Sequence, residues 1–227
     1  KNKVSEHVVI SGWVYNRRDS GKISFLQVRD GSGFVQAVAE KSKLSTDEWE
    51  KIGRISDETS CKIKGLVTKH PKFDNVFEVQ VESVEIVGES TEYPIGKKGH
   101  GPDFLFENRD LYLRSKTPWA VLRIRDQVFI SITNFFREEG FIRSDTPVLQ
   151  PTSAEDTSQL FELKYYEDMM YLTQSGQLYL EAGIMGFGKA YDFGPVFRAE
   201  KSKTRNHLSE FWMMDAEVAF IQQEENM

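Results

Sequence analysis

The chain has 227 residues, enough for one or two domains with real cores. At 39% hydrophobic and 28% charged it has the composition of an ordinary globular protein, and no stretch approaches the roughly 20 apolar residues that span a bilayer. A formal net charge of -6 argues against broad, non-specific coating of nucleic acid, which takes many phosphate contacts, but leaves room for a local RNA-binding face. A single cysteine, Cys61, excludes an internal disulfide framework and fits a reducing compartment. Residues 1–10 lack the apolar core of a signal peptide, so the sequence reads as cytoplasmic.

His7 to Arg18 (HVVISGWVYNRR) alternates with period two and runs into Asp19-Ser20-Gly21, a turn signal. Ile23 to Asp30 alternates again and meets Gly31-Ser32-Gly33; Phe34 to Ala39 makes a third strand. Ser45 to Ile55 opens with Ser-x-x-Glu and spaces its apolar residues, which predicts a short helix. Cys61 to Thr68 and Val76 to Ile86 are two further strands, parted by His70-Pro71 and Asp74-Asn75. Five strands with a helix between the third and fourth is the order of an OB-fold, a partly open barrel that binds oligonucleotides; an unrelated small barrel or sandwich fits the same pattern. Two basic clusters, Arg17, Arg18 and Lys22, and Lys62, Lys64, Lys69 and Lys72, read either as RNA contacts or as solvated residues on exposed strands.

Pro94 to Pro102 (PIGKKGHGP) is a hinge. Thr117-Pro118 then opens a long helix, with threonine as the expected cap and proline at the first helical position. Val121, Ile124, Val128, Ile132 and Phe135 recur at three- and four-residue steps and form one apolar face, and Gly140 stops the helix. Phe141 to Leu149 follows as a strand whose Pro147 marks an edge or an end.

Phe197-Arg198-Ala199-Glu200, a charged loop, and then His207-x-x-x-Phe211-x-x-x-Asp215 resembles motif 2 of the class II aminoacyl-tRNA synthetases. The helix ending in a strand with Pro147 is similar to their motif 1. Gln174-Ser175-Gly176-Gln177-Leu178-Tyr179 resembles the amino-acid-binding segment of the aspartate and asparagine branch, and the run Tyr171 to Phe220 is close to bacterial asparaginyl-tRNA synthetases. These ordered segments span essentially the whole chain. The resemblance implies an α+β protein: residues 1–93 an OB-fold anticodon-binding domain, 94–110 a hinge, and 111–227 the N-terminal half of a class II antiparallel-sheet catalytic domain.

It also implies a ligase that uses ATP and magnesium to convert L-asparagine to its adenylate and passes it to tRNA(Asn), as a homodimer paired through motif 1. Arg198 would stabilise charge on the α-phosphate and orient the amino-acid carboxylate. Glu200, Arg205, His207 and Phe211 would complete the ATP site, Phe211 by stacking on adenine. Glu155 would hold the substrate ammonium, beside Asp156 where most relatives carry glycine, and Gln174, Gln177 and Asp215 would line the amino-acid site. On the barrel, Phe25 would stack on an anticodon base while Gln36 and Glu78 bond to base edges. Solvated loops and plain core packing are the competing readings for these residues taken singly.

Leu180 stands where aspartyl enzymes carry a lysine that pairs with the substrate carboxylate. A site without that cation favours a neutral carboxamide, because an unpaired buried charge is costly. Asp215, where bacterial asparagine enzymes carry glutamate, points the other way. Motif 3 and the acidic pair that holds magnesium do not occur within these residues, and the resemblance places them in a further C-terminal part. The other readings are therefore an aspartyl-tRNA synthetase, an asparagine-synthesising paralogue, which lacks the barrel, and a non-catalytic tRNA-binding or dimerising fragment.

Overall fold

Period-two alternation buries one side of each N-terminal strand, and the strands close on themselves. In the computed structural model, which describes residues 3–96, 98–152, 159–204 and 206–226, the chain divides into two compact units, 1–112 and 113–227. In the first, β1 (His7–Ser20), β2 (Ile23–Arg29), β3 (Phe34–Glu40), β4 (Ser60–Lys69) and β5 (Phe77–Gly88) form a closed barrel in the order β1-β2-β3-β5-β4. Its core holds Val14, Leu26, Val28, Ala37, Ala39, Ile63 and Val81, and each larger aliphatic chain contributes about 1.5–3 kcal/mol by leaving water. A bulge at Lys64/Gly65 brings β4 against β5 so closely that a Cβ at Gly65 would lie 2.1 Å from the carbonyl oxygen of Gln80.

Helix α1 (Thr46–Arg54) lies between β3 and β4, as the spacing predicts, and the Ser45 side chain caps it by accepting from the Glu48 N–H. Glu48 does not complete a reciprocal box; its Oε2 instead accepts from the N–H of Val84 on β5 at 2.7 Å. At the other end of α1, Arg17 Nη1 donates to the carbonyls of Ile52, Gly53 and Ile55. Arg17 is therefore a helix C-cap, favoured there by the helix dipole. Arg29 and Glu58 form a buried, two-pronged ion pair at 2.9 and 2.8 Å. The short helices α2 (Pro102–Glu107) and α3 (Arg109–Tyr112) end this unit.

In the second unit α4 (Lys116–Glu138) is the long predicted helix, but its N-cap is Ser115, so Thr117 and Pro118 lie inside the first turn. The predicted strand 141–149 is two short pieces, β6 (Ile142–Arg143) and β7 (Leu149–Gln150), in different sheets; between them the Ser144 N–H still donates to Tyr191 of β10 and the Val148 carbonyl accepts from Thr173, and the chain crosses at Pro147. Among the described residues one sheet runs β11-β10-β6 and the other β7-β9-β8, where β8 is Glu162–Tyr165, β9 Asp168–Leu172, β10 Lys189–Phe197 and β11 Glu210–Val218. Helix α5 (Gln177–Phe187) packs on β10 and β11, and α6 (Gln223–Asn226) follows. Phe129 and Phe136 of α4 stack on Phe193 and Tyr191 of β10, with ring centroids 4.2 and 4.9 Å apart. The apolar stripe read from the sequence is present, but Val121, Ile124, Val128 and Phe135 are exposed; only Ile132 joins the packed side.

Candidate functional site

The residues between β9 and α5 form the centre of the second unit. Thr173, Gln174 and Ser175 are buried, and Gly176 caps α5. Their backbone is held from several directions. The Thr173 hydroxyl donates to the Ser175 carbonyl at 2.8 Å, and Gln150 Nε2 reaches that carbonyl at 3.4 Å. Arg198, just past the end of β10, donates to the Gln174 carbonyl through Nη1, and its guanidinium lies 5.6 Å from the ring centroid of Phe211 on β11. Asp215 on β11 accepts from the Ser175 hydroxyl at 2.9 Å and from the Gly176 N–H at 3.2 Å. Four of the predicted residues, Gln174, Arg198, Phe211 and Asp215, thus stand on adjoining elements around one buried turn.

Asp192 is a residue that the sequence reading missed. It pairs in register with Asp215 across β10 and β11, and its Oδ2 accepts from the Thr146 hydroxyl. Desolvation by burial pushes its carboxyl above the usual range, against the opposing hydrogen bond from Thr146. The pair fills the space behind Gly176: a Cβ there would lie 2.6 Å from Asp192 Oδ2 and 2.8 Å from Thr146 Oγ1. Buried Gln150 was missed as well. Asp192 meets Thr146 46 residues away, and Gln150, which also donates to the Pro147 carbonyl at 3.0 Å, reaches Ser175 25 residues on, so neither long-range bond leaves a local signal.

Beside this turn a cavity of about 960 Å³ opens between the arms of the β10–β11 connection, lined by Phe161, Arg198, Glu200, His207, Ser209 and Phe211 among others. It joins a fixed cation to an aromatic face, the donor set that suits a phosphorylated, ring-bearing ligand. Glu200 and His207 are exposed on it, with His207 Nδ1 against the Thr204 hydroxyl. Gln177 is exposed at the start of α5; its side chain donates to Glu181 and its N–H to the Ser175 hydroxyl, both at 3.1 Å. Glu155 and Arg205 lie outside the described residues. Leu180 is fully buried, so no charge stands at that position of α5. Among the described residues no group of three His, Cys, Asp or Glu could hold a metal ion, and no helix is long and apolar enough to cross a membrane.

On the barrel, core residues Leu26, Ala37 and Val79 alternate with Phe25, Gln36 and Glu78, which therefore share the outer face. Gln36 and Glu78 are register partners, and Gln36 Nε2 donates to Glu78 Oε2 at 3.2 Å. Arg18 lies over the Phe25 ring at 5.1 Å. Of the two basic clusters, Arg17 caps α1, while Lys62 pairs with Glu85 and Lys64 lies 4.0 Å from Glu82.

The barrel followed by the α4–β10–β11 arrangement is that of a class II synthetase attached to an OB-fold. Residues 101–227 match the class II tRNA synthetases (D, K and N), and residues 8–87 match the OB-fold nucleic acid binding domain. The chain belongs to the class II tRNA synthetases of this group. It is 46% identical over its full length to the asparagine–tRNA ligases of Streptococcus suis (strain 98HAH33) and Streptococcus agalactiae serotype III, covering 52% of each. Among solved structures, asparaginyl-tRNA synthetase from Pyrococcus horikoshii complexed with asparaginyl-adenylate superposes with a TM-score of 0.91 at 34% identity, over 96% of this chain and 51% of that one. The Entamoeba histolytica asparaginyl-tRNA synthetase gives a TM-score of 0.86 at 32% identity, over 98% of this chain and 52% of that one. The chain thus spans about half the length of these relatives.

Proposed function

We propose that this chain is the anticodon-reading barrel (1–93), hinge (94–110) and N-terminal half of the catalytic domain (111–227) of an asparagine–tRNA ligase, acting on L-asparagine, ATP and tRNA(Asn) in the cytoplasm. The observation that carries the reading is the buried Thr173–Gly176 turn, clasped between Arg198 and Asp215 at the edge of the Phe211 cavity. Arg198, tied to the Gln174 carbonyl beside that cavity, would bind the α-phosphate and the amino-acid carboxylate, where a preorganised cation is worth most as charge develops. Phe211 offers a stacking face for adenine, Glu200 and His207 the rim of the same cavity, and Arg205 and Glu155 complete the set by resemblance. Magnesium neutralises the outer phosphates when bound; its ligands are expected in the C-terminal part. Gln174 and Asp215 shape the amino-acid pocket, and the apolar Leu180 leaves it without a cation for an aspartate side chain.

Two further features belong to the same reading. The exposed stripe Val121, Ile124, Val128 and Phe135 on α4 is the surface through which two copies would pair as a homodimer. Phe25, Gln36 and Glu78 on the outer face of the barrel would meet the anticodon bases. The test is amino-acid-dependent exchange of pyrophosphate into ATP: asparagine is expected to drive it and aspartate is not. Exchange driven equally by both would overturn the substrate assignment.

A further inference from the structure

Glu78 does not stand alone on the barrel face. Its Oε2 accepts from Gln36 Nε2 and its Oε1 from Gln80 Nε2, both at 3.2 Å. The carboxylate is buried, 6% exposed, while both glutamines are half-buried. Cross-strand register fixes the layout. Gln36, Glu78 and Thr68 form one row across β3, β5 and β4, and Phe25, Val38, Gln80 and Leu66 form the next row across β2, β3, β5 and β4. Gln80 therefore shares a row with the exposed-face aromatic and touches the buried acid in the adjoining row. The Thr68 hydroxyl, buried opposite Glu78, has no hydrogen-bond partner among the described residues.

A carboxylate can only accept, so each amide must turn its NH₂ toward Glu78 and its carbonyl oxygen away. We propose that Gln80 is a positioning residue of the base-reading face: with Gln36 it locks Glu78 and leaves a row of oxygen acceptors. Such an edge pairs with a base whose ring nitrogen carries N–H on its Watson–Crick side, guanine N1 or uracil N3, and sets a lone pair against the bare ring nitrogen of adenine or cytosine. The selection is for keto over amino bases, and it comes from the orientation of the two amides, which Glu78 dictates. Without Gln80, Glu78 loses the donor on one oxygen, and the carboxylate that orients Gln36 is free to turn. This inference rests on the reading of the barrel as an anticodon binder.

The experiment uses the 227-residue chain and short RNA stem-loops, with binding read by fluorescence anisotropy. The loops carry the triplet GUU, and GCU or AUU as single-base changes from keto to amino. The unmodified chain is expected to prefer GUU over at least one of the other two. Gln80→Met keeps the length and removes the donor; it is expected to cut that preference about tenfold, the scale of one hydrogen bond to a charged group, with little change on the disfavoured loop. Gln80→Lys restores a donor beside Glu78 and is expected to keep the preference. A preference that survives Gln80→Met unchanged, or a Met variant that weakens all loops alike, overturns the role of Gln80. An unmodified chain that holds all three loops equally overturns the anticodon reading itself, and the proposal with it.

Discussion

Asp215 on β11 accepts a hydrogen bond from the backbone N–H of Gly176, 39 residues earlier in the chain, and through the same oxygen from the Ser175 hydroxyl. The acid thus shapes the amino-acid segment whatever it does to the substrate. Replacing Asp215 by Ala leaves the buried Gly176 N–H unpaired and the Ser175 hydroxyl without an acceptor for its proton, which costs about 1–3 kcal/mol locally. The expected outcome is a raised KM for asparagine in pyrophosphate exchange, with a smaller effect on KM for ATP. Equal effects on both would show that the acid serves the fold in general.

Arg198 is tied to the Gln174 carbonyl and lies beside Phe211, so it is already oriented. Arg198→Ala is expected to lower kcat for exchange about 10²–10³-fold, the scale of losing one preorganised electrostatic donor. Lysine should recover little of this, because it cannot reproduce the planar fork. Steady-state exchange kinetics at saturating ATP read both variants.

The wall behind Gly176 makes a separate prediction. An added methyl meets Asp192 and Thr146 at under 3 Å. Gly176→Ala is expected to destabilise the second unit by about 1–3 kcal/mol, as overpacking does. The double variant Gly176→Ala with Asp192→Ala should recover part of that loss. Denaturant titration of the four corners of the cycle gives the coupling.

Burial pushes the Cys61 thiol up to about 11 from an ordinary 9.0. The folded barrel therefore keeps this proton longer than the unfolded chain does. Between pH 9.0 and about 11 the unfolded state is the one that loses it, so this group's contribution to stability falls as pH rises through that window. Cys61→Ala should flatten that part of the pH–stability curve. At neutral pH, alkylation of Cys61 should proceed only as fast as the barrel opens.

The buried Arg29–Glu58 pair offers a sharper stability test, because removing one partner strands a charge. Glu58→Ala is expected to cost about 3–5 kcal/mol by urea denaturation.

Much of the barrel was legible because its strands obey period two, its turns carry glycine and asparagine, and Ser45 caps its helix through local bonds. Phe25, Gln36 and Glu78 were singled out by the family resemblance, and the strand register brings them to one face. What escaped depends on distant partners. Arg17 looks like a nucleic-acid contact in sequence, and only the fold shows it closing α1 35 residues away. On α4, periodicity finds an apolar stripe but cannot say which of two apolar sides meets the sheet; Phe129 and Phe136 do. Thr146 and Asp192 were invisible because each holds the other across 46 residues, and Gln150 because its hold on the Ser175 carbonyl lies 25 residues on. The split of 141–149 into two strands of different sheets was hidden for the same reason.

The most direct test of the central claim is pyrophosphate exchange with asparagine or aspartate as sole amino acid, run on this chain and on the gene product that carries it. With Leu180 buried where a lysine would pair with aspartate, the gene product is expected to use asparagine at least about a hundredfold better, the scale on which an unpaired buried charge is rejected. Exchange as fast with aspartate would contradict the account.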